Sequence, residues 1–504
     1  MSRLDNLTSW HSEWRGLRVV VFGLGVTGFS VADTLAELGA NALVVAEKVD
    51  ADLLDILDVI AVPHVTGDAA RGVPQAVIDL HPELIVTSPG VRPDAALLQW
   101  AAENDVPIWV DIDLAWRLRD KTSRVAEWVM ITGTNGKTTT VQLVEAIANR
   151  AGLRSIACGN IGTPILDAIR DPDGFDLFVV ELSSFQLHYL HDAISPASAA
   201  VLNLADDHID WHGSFEEYAR VKGKVFNNTR LACVYNVADE ATMHMVEEAD
   251  VVDGARAIGF TLGAPRRSEV GYVEDILCDR AFIEERDKTA QELATLDDIA
   301  QIGVITPHLL ANVAAAAALA RSIGIGAEAI RDAIRDFRLD AHRIELVAAA
   351  NGIDWFDDSK ATNPHAAAAS LASFDRVVWV VGGLLKGVDI SPLIERFASK
   401  LAGAIVIGAD RGPLLEAFAR VAPQVALREV DAPTAVMTKV VEHALELAKA
   451  GDTVLLAPAA ASMDQFKDYA DRGAQFAVAV RAALGLAATD QSSTEATPGE
   501  HSNG

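Results

Sequence analysis

Several short strings carry residues able to handle phosphate, metal ions and carboxylates. The plainest is GTNGKT at 133–138. Gly133 and Gly136 let backbone N–H groups converge on an anion, and a helix opening behind them adds its positive end. Lys137 can then reach the β- and γ-phosphates of ATP, while the Thr138 hydroxyl can ligate Mg2+. Thr134, Asn135 and Thr139 complete the loop. Ile131 stands where the longer GxxxxGK[ST] spacing has its first glycine. The string points to ATP and is silent about what receives the phosphoryl group.

A second glycine string, GLGVTG at 23–28, has Glu47 at the end of the next apolar run, 19 residues past Gly28. That order suits a diphosphate on a helix N-terminus and an acid on a ribose hydroxyl. By itself it leaves NAD open. ELSSFQL places Glu181 at the end of an apolar run, and NLADDHIDWH places Asp207 and His208 at the end of the following one. A carboxylate and an imidazole from neighbouring strand ends can share divalent ions that bridge ATP. A satisfied structural histidine is an equal reading of His208, and the stronger one for His212. Lys222 and Lys224, in SFEEYARVKGKVF, read by default as a solvated charge face. HRIE supplies Arg343, DDSKATNP supplies Asp358, Lys360, Thr362 and Asn363, and GGLLKG supplies Lys386. Cations at strand ends of an acidic protein suit an anionic second substrate.

These groups need scaffolds. Apolar runs alternate with helical stretches from residue 17 onward: RVVVF, ALVVA and ELIVT, then EWVMIT, DLFVVE and ASAAV, then GIDWFDD, RVVWVVGG, AGAIVIG and DTVLLAP. The alternation predicts an α/β protein with parallel, doubly wound sheets. We expect three consecutive α/β domains: a Rossmann-like one over 1–115, a central phosphate-loop domain over 116–339, and a Rossmann-like one over 340–486. The Ser/Thr/Glu/Gly-rich stretch 487–504 reads as a disordered tail. Residues 263–300 read as a charged, irregular excursion.

The chain has 504 residues, half of them hydrophobic, and a formal net charge of −29 from 42 basic and 71 acidic groups. Such a surface repels nucleic acid. Three scattered cysteines exclude a disulfide framework. The N-terminal stretch lacks the apolar core of a secretory signal. The uncharged stretch 299–320 contains Gly303, Pro307, His308 and Asn312, and so reads as a buried helix rather than a membrane span. A cytoplasmic protein without membrane insertion is expected.

Together the strings resemble the Mur ligases of bacterial peptidoglycan assembly, over essentially the whole of 17–486. GTNGKT, ELSSFQL and DHIDWHGSFEEYARVK look like general motifs of that family. DDSKATNP, SPG at 88–90, GNIG at 159–162 and APAAASMDQF at 457–466 resemble its D-glutamate-adding branch. The resemblance implies an ATP-dependent ligase that joins D-glutamate to UDP-N-acetylmuramoyl-L-alanine through an acyl phosphate, acting as a monomer. It implies that Gly25, Val26, Thr27, Gly28, Glu47, Ser88, Gly90, Asn160 and Ser183 hold the UDP-sugar. Asn312, Arg343 and Asp358 would join the phosphate loop around ATP. Lys360, Thr362, Lys386, Ser462 and Phe466 would bind D-glutamate. Lys137, Glu181, His208 and Lys222 would be catalytic. Thr138, Glu181, His208 and Lys222, the last as a carbamate formed from CO2, would ligate two Mg2+ ions. The competing readings are a sister Mur ligase or folylpolyglutamate-type ligase using another amino acid and, from another class, an NAD-dependent oxidoreductase.

Overall fold

The computed structural model describes residues 3–191, 193–385, 387–432 and 434–486. Lys386 and the expected tail at 487–504 lie outside the described residues. The chain forms two compact units, one ending at Arg338 and the other beginning at Leu339. Three sheets carry the structure, as the α/β alternation requires.

The first sheet has five parallel strands in the order His64–Thr66, Asn41–Ala46, Arg18–Phe22, Leu84–Thr87, Ile108–Trp109. Val19, Val20 and Val21 of its central strand are all fully buried, as a strand covered on both faces demands. The fifth of these strands is only two residues long, Ile108–Trp109. Helix Asp111–Leu118 begins directly afterwards, and the boundary expected at 115/116 falls inside it. Its Asp111 accepts from Gln186 Nε2 at 3.2 Å, and its apolar residues belong to a core that continues beneath the second sheet.

The second sheet holds nine strands. Its parallel part runs Ser155–Gly159, Leu177–Glu181, Glu127–Thr132, Ser198–Val201, Ala232–Asn236, Arg256–Phe260, Glu269–Val273. Ile276–Asp279 and Gln291–Thr295 then add antiparallel strands at its edge. The expectation of an irregular excursion over 263–300 is therefore corrected: it extends the sheet. Its strands are four or five residues long and carry one acidic residue each, too short for the alternation to stand out, yet Leu277, Leu293 and Ala294 are fully buried.

The alanine-rich stretch is helix Pro307–Ser322, opened by Thr306, whose hydroxyl accepts from Leu309 N at 3.2 Å. Residues 313–320 are fully buried, and small side chains let this helix lie close against helix Lys137–Arg150 behind the phosphate loop. Among the described residues no helix is long and apolar enough to cross a membrane.

The second unit contains the third sheet, ordered Glu345–Ala350, Ile353–Asp357, Thr453–Leu456, Val377–Gly382, Leu401–Ile407, Leu427–Glu429. It is parallel except for its first strand, which pairs antiparallel with Ile353–Asp357. Apolar layers cover both faces, one around Trp379 and Phe418 and the other around Trp355 and Phe476.

In the first sheet, Gly28 sits where helix Val26–Glu37 crosses the preceding turn, and a Cβ there would lie 2.0 Å from the Gly23 carbonyl oxygen. Backbone cannot yield as a flexible side chain would. Gly28→Ala should lower stability by roughly 1–3 kcal/mol through forced repacking, read as a drop in the thermal unfolding midpoint.

Candidate active site: a phosphate loop, a carboxylate and a buried lysine

The phosphate loop leaves the second sheet at the end of strand Glu127–Thr132, and helix Lys137–Arg150 begins at its far side. Gly136 adopts φ +82°, and a Cβ there would lie 2.2 Å from Asn312 Oδ1. The glycine thus serves both the turn and the close approach of Asn312. Lys137 Nζ donates to the Gly133 and Thr134 carbonyls, each at 2.9 Å. The next strand end supplies Glu181, almost fully buried: Thr138 Oγ1 donates to its Oε2 at 2.9 Å, and Asn160 Nδ2 donates to its Oε1 at 2.9 Å.

Lys222 is not on a solvated face. It is 2% exposed and lies beneath the loop, where its Nζ donates to the Gly133 carbonyl at 2.9 Å and to Thr132 Oγ1 at 3.3 Å. Burial, reinforced by Lys137, pushes its pKa well below the usual lysine value, against the opposing pull of Asp207 and Glu181. Two lysines therefore address one carbonyl oxygen, and the buried one is the one driven toward the neutral amine. The spacing carried the signal: Tyr218, Val221, Lys222 and Val225 fall at i, i+3, i+4 and i+7, and all are buried. Lys224 likewise turns inward, donating to the His188 carbonyl at 2.9 Å.

His208 occupies the left-handed region at φ +53°, uncommon outside glycine and tolerated better by histidine than by most residues. Its ring packs edge-on against Phe185 at 4.8 Å, and its Nε2 is 3.6 Å from Asp207 Oδ2. His212 is buried, with Nε2 hydrogen-bonded to Ser184 Oγ at 2.9 Å; burial lowers its pKa to about 4, so it is neutral near pH 7. The structural reading of His212 fits this placement.

At the first sheet, Gly25 caps helix Val26–Glu37, with Val26 exposed and Thr27 half-buried at its opening. Ser88 lies against the turn, where a Cβ on Gly23 would come within 2.5 Å of its hydroxyl. That hydroxyl is buried without a hydrogen-bond partner. Gly90 lies beyond it with open space around its Cα. Glu47 is exposed and pairs with Arg71 at 3.6 Å. Ser183 exchanges hydrogen bonds with Gln186 at the start of its helix.

In the second unit Asp358 is buried. Its pKa is raised to about 6 by desolvation, while hydrogen bonding from Ser370 and the charge of Arg343 lower it in part. Arg343 has Nε and Nη2 buried without a hydrogen-bond partner. Lys360 donates to the Tyr469 hydroxyl at 2.9 Å and lies over that ring. Thr362 is half-buried beside it in the chain, Ser462 is buried, and Phe466 belongs to the apolar layer around Trp355.

Comparison with known proteins closes the question of family. Residues 17–110 match the MurD-like N-terminal domain of Mur ligases, 131–320 the Mur ligase middle domain, and 342–460 the Mur ligase glutamate ligase domain. The chain is 55% identical to a UDP-N-acetylmuramoylalanine–D-glutamate ligase of Leifsonia xyli, covering 97% of each chain. The chain belongs to the Mur ligase family. A ligase of the same name from Streptomyces avermitilis is 50% identical, covering 93% of this chain and 99% of its own. The crystal structure of UDP-N-acetylmuramate–alanine ligase from Thermotoga maritima shares the fold at 17% identity, with a TM-score of 0.55 over 93% of this chain and all of that one.

This Mur ligase also uses residues that sequence reading passed over. Asn203 Oδ1 accepts from Asn135 N at 2.9 Å and its Nδ2 donates to Asn135 O at 3.0 Å, so one amide clamps the loop backbone from both sides. The Tyr218 hydroxyl meets Thr134 Oγ1 at 2.9 Å. Arg472, fully buried, donates to the Ser359 hydroxyl and carbonyl and to the Ala460 carbonyl, tying DDSKATNP to the APAAASMDQF loop. Asn203 stands five residues before His208, and its amide offered the only sequence cue. Asn203→Ala should raise the KM for ATP about tenfold, as losing a paired hydrogen bond worth about 1–3 kcal/mol implies. Steady-state kinetics at saturating second substrates would read this, with a smaller change expected in kcat.

Proposed function

We propose that this Mur ligase joins D-glutamate to UDP-N-acetylmuramoyl-L-alanine at the expense of ATP, in the cytoplasm, as a monomer making a peptidoglycan precursor. The observation that carries the reading is the neutral-leaning Lys222 beneath a phosphate loop whose Thr138 is bonded to Glu181, in a chain 55% identical to a ligase of that name. A carboxylate is a poor electrophile because its oxygens are poor leaving groups. Its attack on the γ-phosphorus releases ADP and leaves an acyl phosphate. The D-glutamate amine then attacks the carbonyl carbon, phosphate departs, and the amide nitrogen loses its proton.

The residues divide the work in chain order. Residues 1–115, with Gly25, Val26, Thr27, Gly28, Glu47, Ser88 and Gly90, hold the UDP-sugar, helped by Asn160 and Ser183. Residues 116–339 grip ATP with the loop 133–139 and Asn312. Residues 340–486 contribute Arg343 and Asp358 toward ATP, and Lys360, Thr362, Lys386, Ser462 and Phe466 toward D-glutamate. The partnerless N–H groups of Arg343 suit a phosphate.

Mur ligases use ATP and Mg2+. The donors fit a hard cation: a buried carboxylate, and a hydroxyl whose proton is given to that carboxylate and whose lone pairs therefore face away. Thr138, Glu181, His208 and carbamylated Lys222 would hold two Mg2+ ions, which when bound offset the charge of the transferring phosphoryl group. Only a neutral amine attacks CO2. When Lys222 does so, its nitrogen loses a proton and gains a carboxylate, and its repulsion of Lys137 becomes attraction.

Two measurements test this. Phosphate release from ATP with UDP-N-acetylmuramoyl-L-alanine should require D-glutamate and fail with L-glutamate, L-alanine or L-lysine; indifference to D-glutamate would sink the assignment. Lys222→Ala should lose activity by about a hundredfold and regain part of it with added short carboxylates. Carbon-13 NMR of protein equilibrated with labelled bicarbonate should show a carbamate resonance that Lys222→Ala lacks and that fades as pH falls and the amine protonates.

A further inference from the structure

We infer that His212 is a positioning residue: through its hydrogen bond to Ser184 it sets the spacing between the segments that carry Glu181 and His208. The inference rests on the reading of those two residues as metal ligands. Glu181 ends its strand, and Ser184 begins the helix Ser184–Tyr189 three residues later. His208 caps the single turn Ile209–His212, and its carbonyl accepts from Trp211 N and His212 N at 3.0 Å each, so the two histidines move as one body. The 2.9 Å hydrogen bond between His212 Nε2 and Ser184 Oγ is a polar link between these segments, and both residues are buried.

Aromatic packing reinforces that link. Phe185 stacks nearly parallel on His212, 11° between planes at 6.0 Å, and meets His208 edge-on at 4.8 Å. Trp211 contacts both Phe185 and His212. The ring of His208 therefore rests on a residue held in place by His212, and the strained φ of His208 is maintained by the closed turn behind it. Outer partners of this kind orient metal ligands and are felt in metal affinity.

The test titrates Mn2+, in place of Mg2+, into the full-length protein with a non-hydrolysable ATP analogue, following free Mn2+ by electron paramagnetic resonance beside thermal unfolding. Ser184→Ala and His212→Phe should each weaken Mn2+ binding about tenfold. The double variant should be no worse than either single one, because both remove the same bond. His212→Gln, whose amide reaches the same place as Nε2, should keep near-parent affinity. Lowered melting temperatures with unchanged Mn2+ affinity, or additive losses in the double variant, would overturn the proposal. Glu181→Gln and His208→Ala run alongside. If these weaken Mn2+ binding and the Ser184 and His212 variants do not, the clamp alone fails; if these too leave binding unchanged, the ligand assignment falls and the clamp with it.

Discussion

Everything at the phosphate loop turns on one oxygen. The Gly133 carbonyl accepts from Lys137 and from Lys222, each at 2.9 Å, and two ammonium groups cannot share it at low cost in a buried place. Lys137 is bound to the loop, where the phosphate of the proposed ATP complex would compensate it. Lys222 is sealed beneath, and burial pushes its pKa well below the usual lysine value. The same burial that makes its charge costly makes its amine nucleophilic, so the chemistry proposed for Lys222 grows from the packing that confines it. Thr132, the last residue of the strand that leads into the loop, accepts the other hydrogen bond of Lys222, so the sheet itself sets the lysine's depth.

The rest of the loop's order comes from neighbours on adjacent strand ends. Asn203 follows the strand beside the phosphate loop, and Glu181 ends the strand on the loop's other side. Parallel strands put their C-terminal ends along one edge, so residues 133–138, 181 and 203–208, distant in sequence, meet there without long side chains reaching across. Thr138 gives its hydroxyl proton to Glu181, and Asn160 occupies the other carboxylate oxygen. Glu181 is thereby held by two donors before any cation arrives.

What the sequence revealed follows this geometry. Strings such as RVVVF and EWVMIT announced buried parallel strands because both faces must be apolar, and glycine strings at their ends marked the turns. The edge strands over 269–295 stay hidden in the sequence because each is only four or five residues long, too short for a pattern to emerge. Lys222 was read first as surface because lysine usually is, although its spacing with Tyr218, Val221 and Val225 already put it on the apolar face. Asn203 and Arg472 were missed for another reason. Their partners are backbone atoms of distant segments, and a sequence does not show which carbonyls will stand unpaired in the folded chain.

The charge balance explains how anions are received by a protein with 71 acidic and 42 basic residues. On the surface, arginines settle on carboxylates: Arg150 on Asp332 at 2.8 Å, Arg170 on Asp33 at 2.5 Å, Arg154 on Asp171 at 3.1 Å. Those pairs cancel their own fields. The cations proposed to meet ligands make different bonds: Lys137 donates to backbone carbonyls, Lys360 to a tyrosine hydroxyl, and two N–H groups of Arg343 are buried without a partner. A neutral acceptor orients a cation without cancelling its charge, so the positive potential survives at these places inside an acidic molecule. The acidic surface is then no obstacle to binding nucleotide, because what a phosphate meets at short range is set by which oxygens the nearest lysines and arginines have been denied.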